Sequence, residues 1–150
     1  MNPSNRLRGK QNQKAGEFAQ QMTERMLWSL GFKCIEPIET GWRIKWEYVE
    51  KNGKTFRKVV DAKEKNKVSG DFTAVGKNGR AVHCEVKHRD KDVLVHSALE
   101  DHQVEAMDEK TSYGVLCLLS WVRSPVEMKI LRWPIPNFVK GSSLKWEDIR

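Results

Sequence analysis

Apolar residues recur with a helical period between Ala15 and Leu30. Phe18, Met22, Met26, Leu27 and Leu30 take one set of wheel positions, while Glu17, Gln20, Gln21, Glu24 and Arg25 take the others. Gly31 stands where such a helix needs a left-handed C-terminal residue. Phe32 to Ile35 predicts a short extended segment, ended by Pro37. The period then changes to two: Trp42, Ile44, Trp46 and Tyr48 alternate with Arg43, Lys45 and Glu47. Asn52-Gly53, a dipeptide that tolerates the positive φ of a tight hairpin turn, precedes a returning strand from Thr55 to Val60. A tryptophan row in strand register reads as a buried face, although such rings can also stack on bases.

Residues 61 to 70 are a polar, basic connection. A second strand pair is predicted beyond it: Asp71 to Val75, a turn over Gly76-Lys77-Asn78-Gly79, and Arg80 to Lys87. Ser97 to about Ser112 reads as a helix, with Ser97 as its cap and Leu99, Val104 and Met107 on its apolar side; Gly114 closes it. Val115-Leu116-Cys117-Leu118-Leu119 is continuously apolar, as expected of a central strand covered on both faces. After the Ser124-Pro125 turn, Val126 to Trp133 predicts an edge strand, and the tail is a Pro-containing loop with Trp146 folding back. This order predicts an α/β sandwich round a mixed sheet.

A chain of 150 residues suits one compact domain, expected here over residues 15 to 150. Ahead of it, residues 1 to 14 carry Arg6, Arg8, Lys10 and Lys14 with no acid, which reads as a flexible basic arm. The net charge of +7 points to a polyanionic partner, because lysines and arginines that neutralise phosphates release condensed counterions. There is no apolar run of membrane-spanning length and no secretory leader pattern, so a cytoplasmic location is expected. Cys34, Cys84 and Cys117 are odd in number and lie in apolar or strand-like stretches, which predicts buried reduced thiols.

The chemistry concentrates on the second strand pair. With Val82, Cys84 and Val86 facing a core, His83, Glu85 and Lys87 project from the opposite face. Asp71, after Gly70 at the start of the partner strand, is brought toward Glu85. Two adjacent carboxylates repel unless a cation lies between them, and hard oxygen ligands favour Mg²⁺, with Mn²⁺ able to substitute. Beside them Lys87 supplies positive charge for a developing anion. In a basic chain this set predicts metal-dependent hydrolysis of nucleic acid.

Gly70-Asp71 followed by Glu85-Val86-Lys87 resembles the PD-(D/E)xK nuclease superfamily, with Ser69-Gly70 where that pattern often has proline. Within it the chain looks most like Holliday junction resolvases of the RecU type and their phage relatives, with archaeal-type resolvases next; the similarity runs from about Lys14 to Trp133. The resemblance implies a restriction-endonuclease-like αβββαβ core, with a central mixed sheet flanked by helices. It also implies a homodimer that cuts four-way DNA junctions, in a host cytoplasm if phage-encoded. By the same resemblance Glu17 completes the metal site with Asp71 and Glu85, Glu24 being the alternative on the same helix. Gln103, in the His102-Gln103 pair, supports Lys87. Lys65 and Lys67 resemble a basic lead-in to the acidic motif, and with His88, Arg89 and the arm they form the expected DNA-binding set. The hairpin of residues 41 to 60 has no match in that pattern and reads as a DNA-contacting or dimer element.

Overall fold

The N-terminal helix is longer than its apolar stripe indicates. In the computed structural model, which describes residues 3–38, 42–64, 70–123 and 127–150 (side chains for 8–38, 47–60, 70–123 and 127–150), helix α1 spans Pro3–Ser29. The flexible arm is therefore replaced by helix as far as residue 14. Proline fits the first turn, where its missing N–H has no intrahelical acceptor to lose, and the Arg, Lys and Gln that follow are good helix formers. Arg8, Lys10 and Lys14 are exposed along it; the side chain of Arg6 lies outside those described.

The buried row of α1 is also rotated from the expected one. Ala19, Thr23 and Leu27 are buried, whereas Phe18, Met26 and Leu30 are 40%, 36% and 54% exposed. Small side chains allow close packing on a sheet, and Thr23 is satisfied there: its Oγ1 donates to the Ala19 carbonyl at 2.9 Å and lies 2.8 Å from Ser120 Oγ. Gly31 (φ 90°) ends the helix as predicted, with its N–H on the Trp28 carbonyl and that of Phe32 on the Leu27 carbonyl. Leu27→Ala is therefore expected to cost about 2–5 kcal/mol in urea unfolding. Phe18→Ala is expected to change stability by no more than about 0.5 kcal/mol. Equal losses would show that the helix is seated differently.

The strands, in chain order, are β1 (Lys33–Pro37), β2 (Trp42–Lys51), β3 (Lys54–Glu64), β4 (Phe72–Val75), β5 (Ala81–His88), β6 (Val93–Val95), β7 (Leu116–Arg123), β8 (Glu127–Arg132) and β9 (Ser143–Lys145); helix α2 (Asp101–Ser112) lies between β6 and β7. Five strands form a sheet in the order β1-β4-β5-β7-β8, with β5 and β7 parallel and the other pairs antiparallel. This is the expected mixed sheet, and α1, β1, β4, β5, α2 and β7 reproduce the αβββαβ order. One face packs Phe72, Ala74, Val82, Cys84 and Leu118 with Leu27 of α1. The other packs Cys117, Leu119 and Trp121 with Met107 of α2, and with Trp133 and Phe138. β7 is thus covered on both sides, as its apolar run predicts.

Three details differ from expectation. The cap of α2 is Glu100, whose N–H is accepted by Gln103 Oε1 at 2.9 Å, while Ser97 sits in a 3-10 turn over His96–Ala98. Cys34 is exposed, with φ 51° inside a register shift of β1, whereas Cys84 and Cys117 are buried free thiols. β6 and β9 pair with each other, each too short to leave a periodic signal. Trp146 does fold back, edge-on to Trp121 at 4.9 Å between ring centroids.

Where one domain from 15 to 150 is expected, the chain divides into two compact units, Met1–Ile38 with Ser69–Arg150, and Glu39–Val68. Within the second, β2 and β3 form an antiparallel hairpin about Asn52-Gly53, both in positive φ. Residues 61 to 64, expected as loop, belong to β3 because they pair with Trp42 to Lys45. Residues 47 to 60 are exposed on both faces, so Tyr48, at 73%, is not a core residue. The side chains of Trp42 and Trp46 lie outside those described. Among the described residues no helix is long and apolar enough to cross a membrane.

Candidate active site

β5 sorts its side chains by alternation. Val82 and Cys84 enter the core beneath α1; His83 and Glu85 point to the other side, 1% and 2% exposed, with Lys87 partly buried next along the strand. Lys87 Nζ lies 3.4 Å from Glu85 Oε1 and donates to Gln103 Oε1 at 2.9 Å. Gln103 Nε2 donates to the same Glu85 oxygen. Gln103 also caps α2 through the Glu100 N–H, so the start of that helix fixes the amide that holds both charged groups.

Asp71 reaches this point from the residue just before β4. Phe72 pairs with Cys84, which places the preceding residue opposite Glu85, and the Asp71 N–H donates to the Cys84 carbonyl at 2.9 Å. Asp71 Oδ2 accepts the Val86 N–H at 2.7 Å. Its Oδ1 accepts Gln20 Nε2 of α1 at 2.9 Å. Gly70 makes the approach possible: its φ is 96°, and a Cβ there would stand 2.1 Å from His83 Cε1. Only glycine fits both constraints.

The electrostatics follow. The Glu85 carboxyl is pushed up to about 7, first by burial and then by the Asp71 charge; Lys87 and the Gly70 backbone N–H oppose the rise. Its Oε2 is buried with no hydrogen-bond partner among the described residues. Two neighbouring carboxylates, with Glu85 Oε2 unbonded among the described residues and no thiolate or imidazole bonded to either acid, offer the oxygen donors that suit a hard divalent cation. Burial, then the charges of Asp71 and Glu85, push the Cys84 thiol up and keep it protonated. His83 is lowered to about 4 by burial and by Lys110, whose Nζ lies 2.9 Å from His83 Nδ1; its ring is neutral at pH 7.

Asp71, Glu85, Lys87 and Gln103 are thus brought together. Glu17 is exposed and accepts a hydrogen bond from Gln13 Nε2 at 3.2 Å, one turn away on α1. Among the described residues no group of three or more Asp, Glu, His or Cys side chains is placed to share an ion, and the contact that α1 makes with Asp71 comes from Gln20. The rotation of α1 is the reason: the row Ala19, Thr23, Leu27 turns Gln20 toward Asp71. His102 faces Glu100 at 3.3 Å, not the site. His88 stands 3.3 Å from Asp90 and Arg89 is exposed, both just beyond the site on β5 and its following loop. Lys65 and Lys67 lie outside the described residues. Gln20 and Lys110 escaped sequence reasoning, and His83, expected on this face, was given no role; a buried row read from small side chains as well as large ones would have found Gln20.

No family model matches the chain, and no curated protein matches it by sequence. A solved structure of Archaeoglobus fulgidus Hjc, a Holliday junction resolvase from an archaeal hyperthermophile, superposes with a TM-score of 0.54 at 14% identity, over 87% of this chain and 88% of that one. The chain therefore shares the restriction-endonuclease-like fold of that archaeal resolvase, with Asp71, Glu85 and Lys87 gathered on its mixed sheet.

Proposed function

We propose that this chain is a divalent-cation-dependent endonuclease of the PD-(D/E)xK type, and that branched DNA, four-way junctions above all, is its substrate. The observation that carries the reading is the convergence of Asp71 and Glu85, one oxygen of Glu85 vacant, beside the Lys87–Gln103 pair. The net charge of +7 and the fold shared with the archaeal resolvase support nucleic acid as the substrate.

Asp71 and Glu85 hold the cation, Mg²⁺ or Mn²⁺. A cation held there would supply Lewis-acid polarisation of a phosphodiester and a lowered pKa for a bound water. Lys87 directs its ammonium at the attacking water or the phosphate, stabilising charge as it builds. Gln103 keeps that ammonium from closing down on Glu85 by sharing it. Gln20 takes the α1 position at the site, orienting Asp71 through Oδ1. Symmetric cleavage of a four-way junction needs two such sites, which a two-fold dimer supplies.

The test is cleavage of a four-way junction, a linear duplex and a flap, each with Mg²⁺, with Mn²⁺ and with EDTA. Cation-dependent cutting of the junction well above the other two supports the full reading. Equal cutting of all three removes the junction preference, and no cutting of any removes the nuclease. Gln20→Ala is expected to lower the rate by about tenfold, the usual scale for losing an outer-shell partner. Glu17→Gln is expected to leave it within about twofold, since the hydrogen bond that carboxylate accepts comes from Gln13 on its own helix. The reverse ranking of these rates would restore Glu17 to the active centre.

A further inference from the structure

We infer that His83 is a positioning residue for this site: its ring, anchored to α2 through Lys110, sets where Gly70 and Asp71 stand relative to Glu85. The inference rests on the reading of Asp71 and Glu85 as a cation site. Three contacts carry it. The Cε1 edge of the ring lies so near Gly70 that a Cβ there would come within 2.1 Å of Cε1 and 2.8 Å of both ring nitrogens. Nδ1 meets Lys110 Nζ at 2.9 Å, tying the ring to the helix that also presents Gln103. Gly70 in turn directly precedes Asp71, whose N–H is held on the Cys84 carbonyl at 2.9 Å, between His83 and Glu85 on β5.

His83 is 1% exposed and its Nε2 has no partner among the described residues, a costly arrangement for a residue that only filled space. With the Lys110 ammonium donating to Nδ1, the ring hydrogen sits on Nε2 and the imidazole is neutral. The ring therefore works as a rigid spacer. It lies on the Glu85 face of β5, two residues from that acid, and bears on the backbone of the strand that brings the other acid. Losing it lets Gly70 settle inward and turns Asp71 away from the geometry that two carboxylates need to share one ion.

The experiment measures binding of Mn²⁺ alone, by the paramagnetic signal of the free ion, to the full chain and to His83→Ala, His83→Phe, Gly70→Ala and the double variant His83→Ala/Gly70→Ala. The ¹⁵N amide positions of Gly70 and Val86 are recorded without metal, and circular dichroism confirms that each variant folds. His83→Ala is expected to weaken Mn²⁺ binding by about tenfold or more and to move both amides. His83→Phe, which keeps a ring without the Lys110 anchor, is expected to lose less. Gly70→Ala alone is expected to be the worst binder, and the double variant to regain part of its loss because the methyl occupies the space the ring vacates. If the natural chain binds Mn²⁺ and His83→Ala binds it equally well, the inference is overturned and the cation site stands. If the natural chain binds no Mn²⁺, the cation reading fails, and the amides still decide whether His83 positions the acid pair: unmoved amides refute it.

Discussion

Glu85→Gln is expected to reduce cation-dependent cleavage by about a thousandfold or more while making the metal-free protein more stable at neutral pH. The first effect follows from losing half of the carboxylate pair that holds the cation, because Lewis-acid stabilisation supplies several kcal/mol at the transition state. The second follows from burial. The folded carboxyl titrates near 7 against an ordinary value of 4.5, with burial the largest cause and Asp71 the next. A raised carboxyl pKa means that the folded state holds the proton longer than the unfolded state, so stability falls as pH rises from about 4.5 to about 7 and is level above that. For a group this well buried the loss is on the order of 3 kcal/mol. Glutamine does not titrate, so the advantage of the variant in melting temperature opens across that window and is full above about pH 7. Mg²⁺ or Mn²⁺ closes the gap by stabilising only the natural chain. Two scans, with and without cation, at about pH 5 and about pH 8 read all of this. A variant that cuts DNA at the natural rate would remove Glu85 from the chemistry; one less stable than the natural chain at both pH values would show that the carboxylate is a net structural asset.

The same burial explains what could be read from the sequence. Alternation placed Glu85 and Lys87 together because a strand offers only two faces, and a hairpin of fixed turn length put Asp71 opposite them. The continuous apolar run at 115 to 119 found the strand covered on both sides for the same reason. Helix α1 defeated the method. Hydropathy favoured Phe18 and Met26, yet the sheet surface selected Ala19 and Thr23 by fit, with Thr23 satisfied by Ser120 from β7. That rotation brings Gln20 to Asp71. The hairpin from Trp42 to Glu64 reads as strand in either setting, but the exposure of residues 47 to 60 does not follow from alternation, which marks a face without saying what covers it. The partners of Gly70 were equally invisible, because a glycine shows in sequence only that something comes close, not that it is His83.

Lys87→Met should separate cation binding from catalysis. Methionine keeps the apolar stem and removes the ammonium that donates to Gln103 Oε1 and lies beside Glu85. Gln103 retains the Glu100 N–H as donor, so the cap of α2 persists. Cleavage at saturating Mg²⁺ is expected to fall by about a hundredfold to a thousandfold, the scale for losing one preorganised donor to developing charge. Cation affinity is expected to respond differently, and not alike at two pH values. Lys87 is one of the groups that hold the Glu85 carboxyl down, so without it that carboxyl rises further above about 7 and protons compete more strongly at neutral pH. Mn²⁺ binding then weakens near pH 6.5, whereas near pH 9, with the carboxylate ionised in both chains, removal of a neighbouring positive charge leaves binding equal or tighter. Lys87→Arg is expected to restore the pH profile of binding but little of the rate, since a planar guanidinium cannot bring a compact ammonium to the same point. Should Lys87→Met cleave within about threefold of the natural chain, the ammonium serves only to neutralise Glu85, and the acid pair with its cation must carry the reaction unaided.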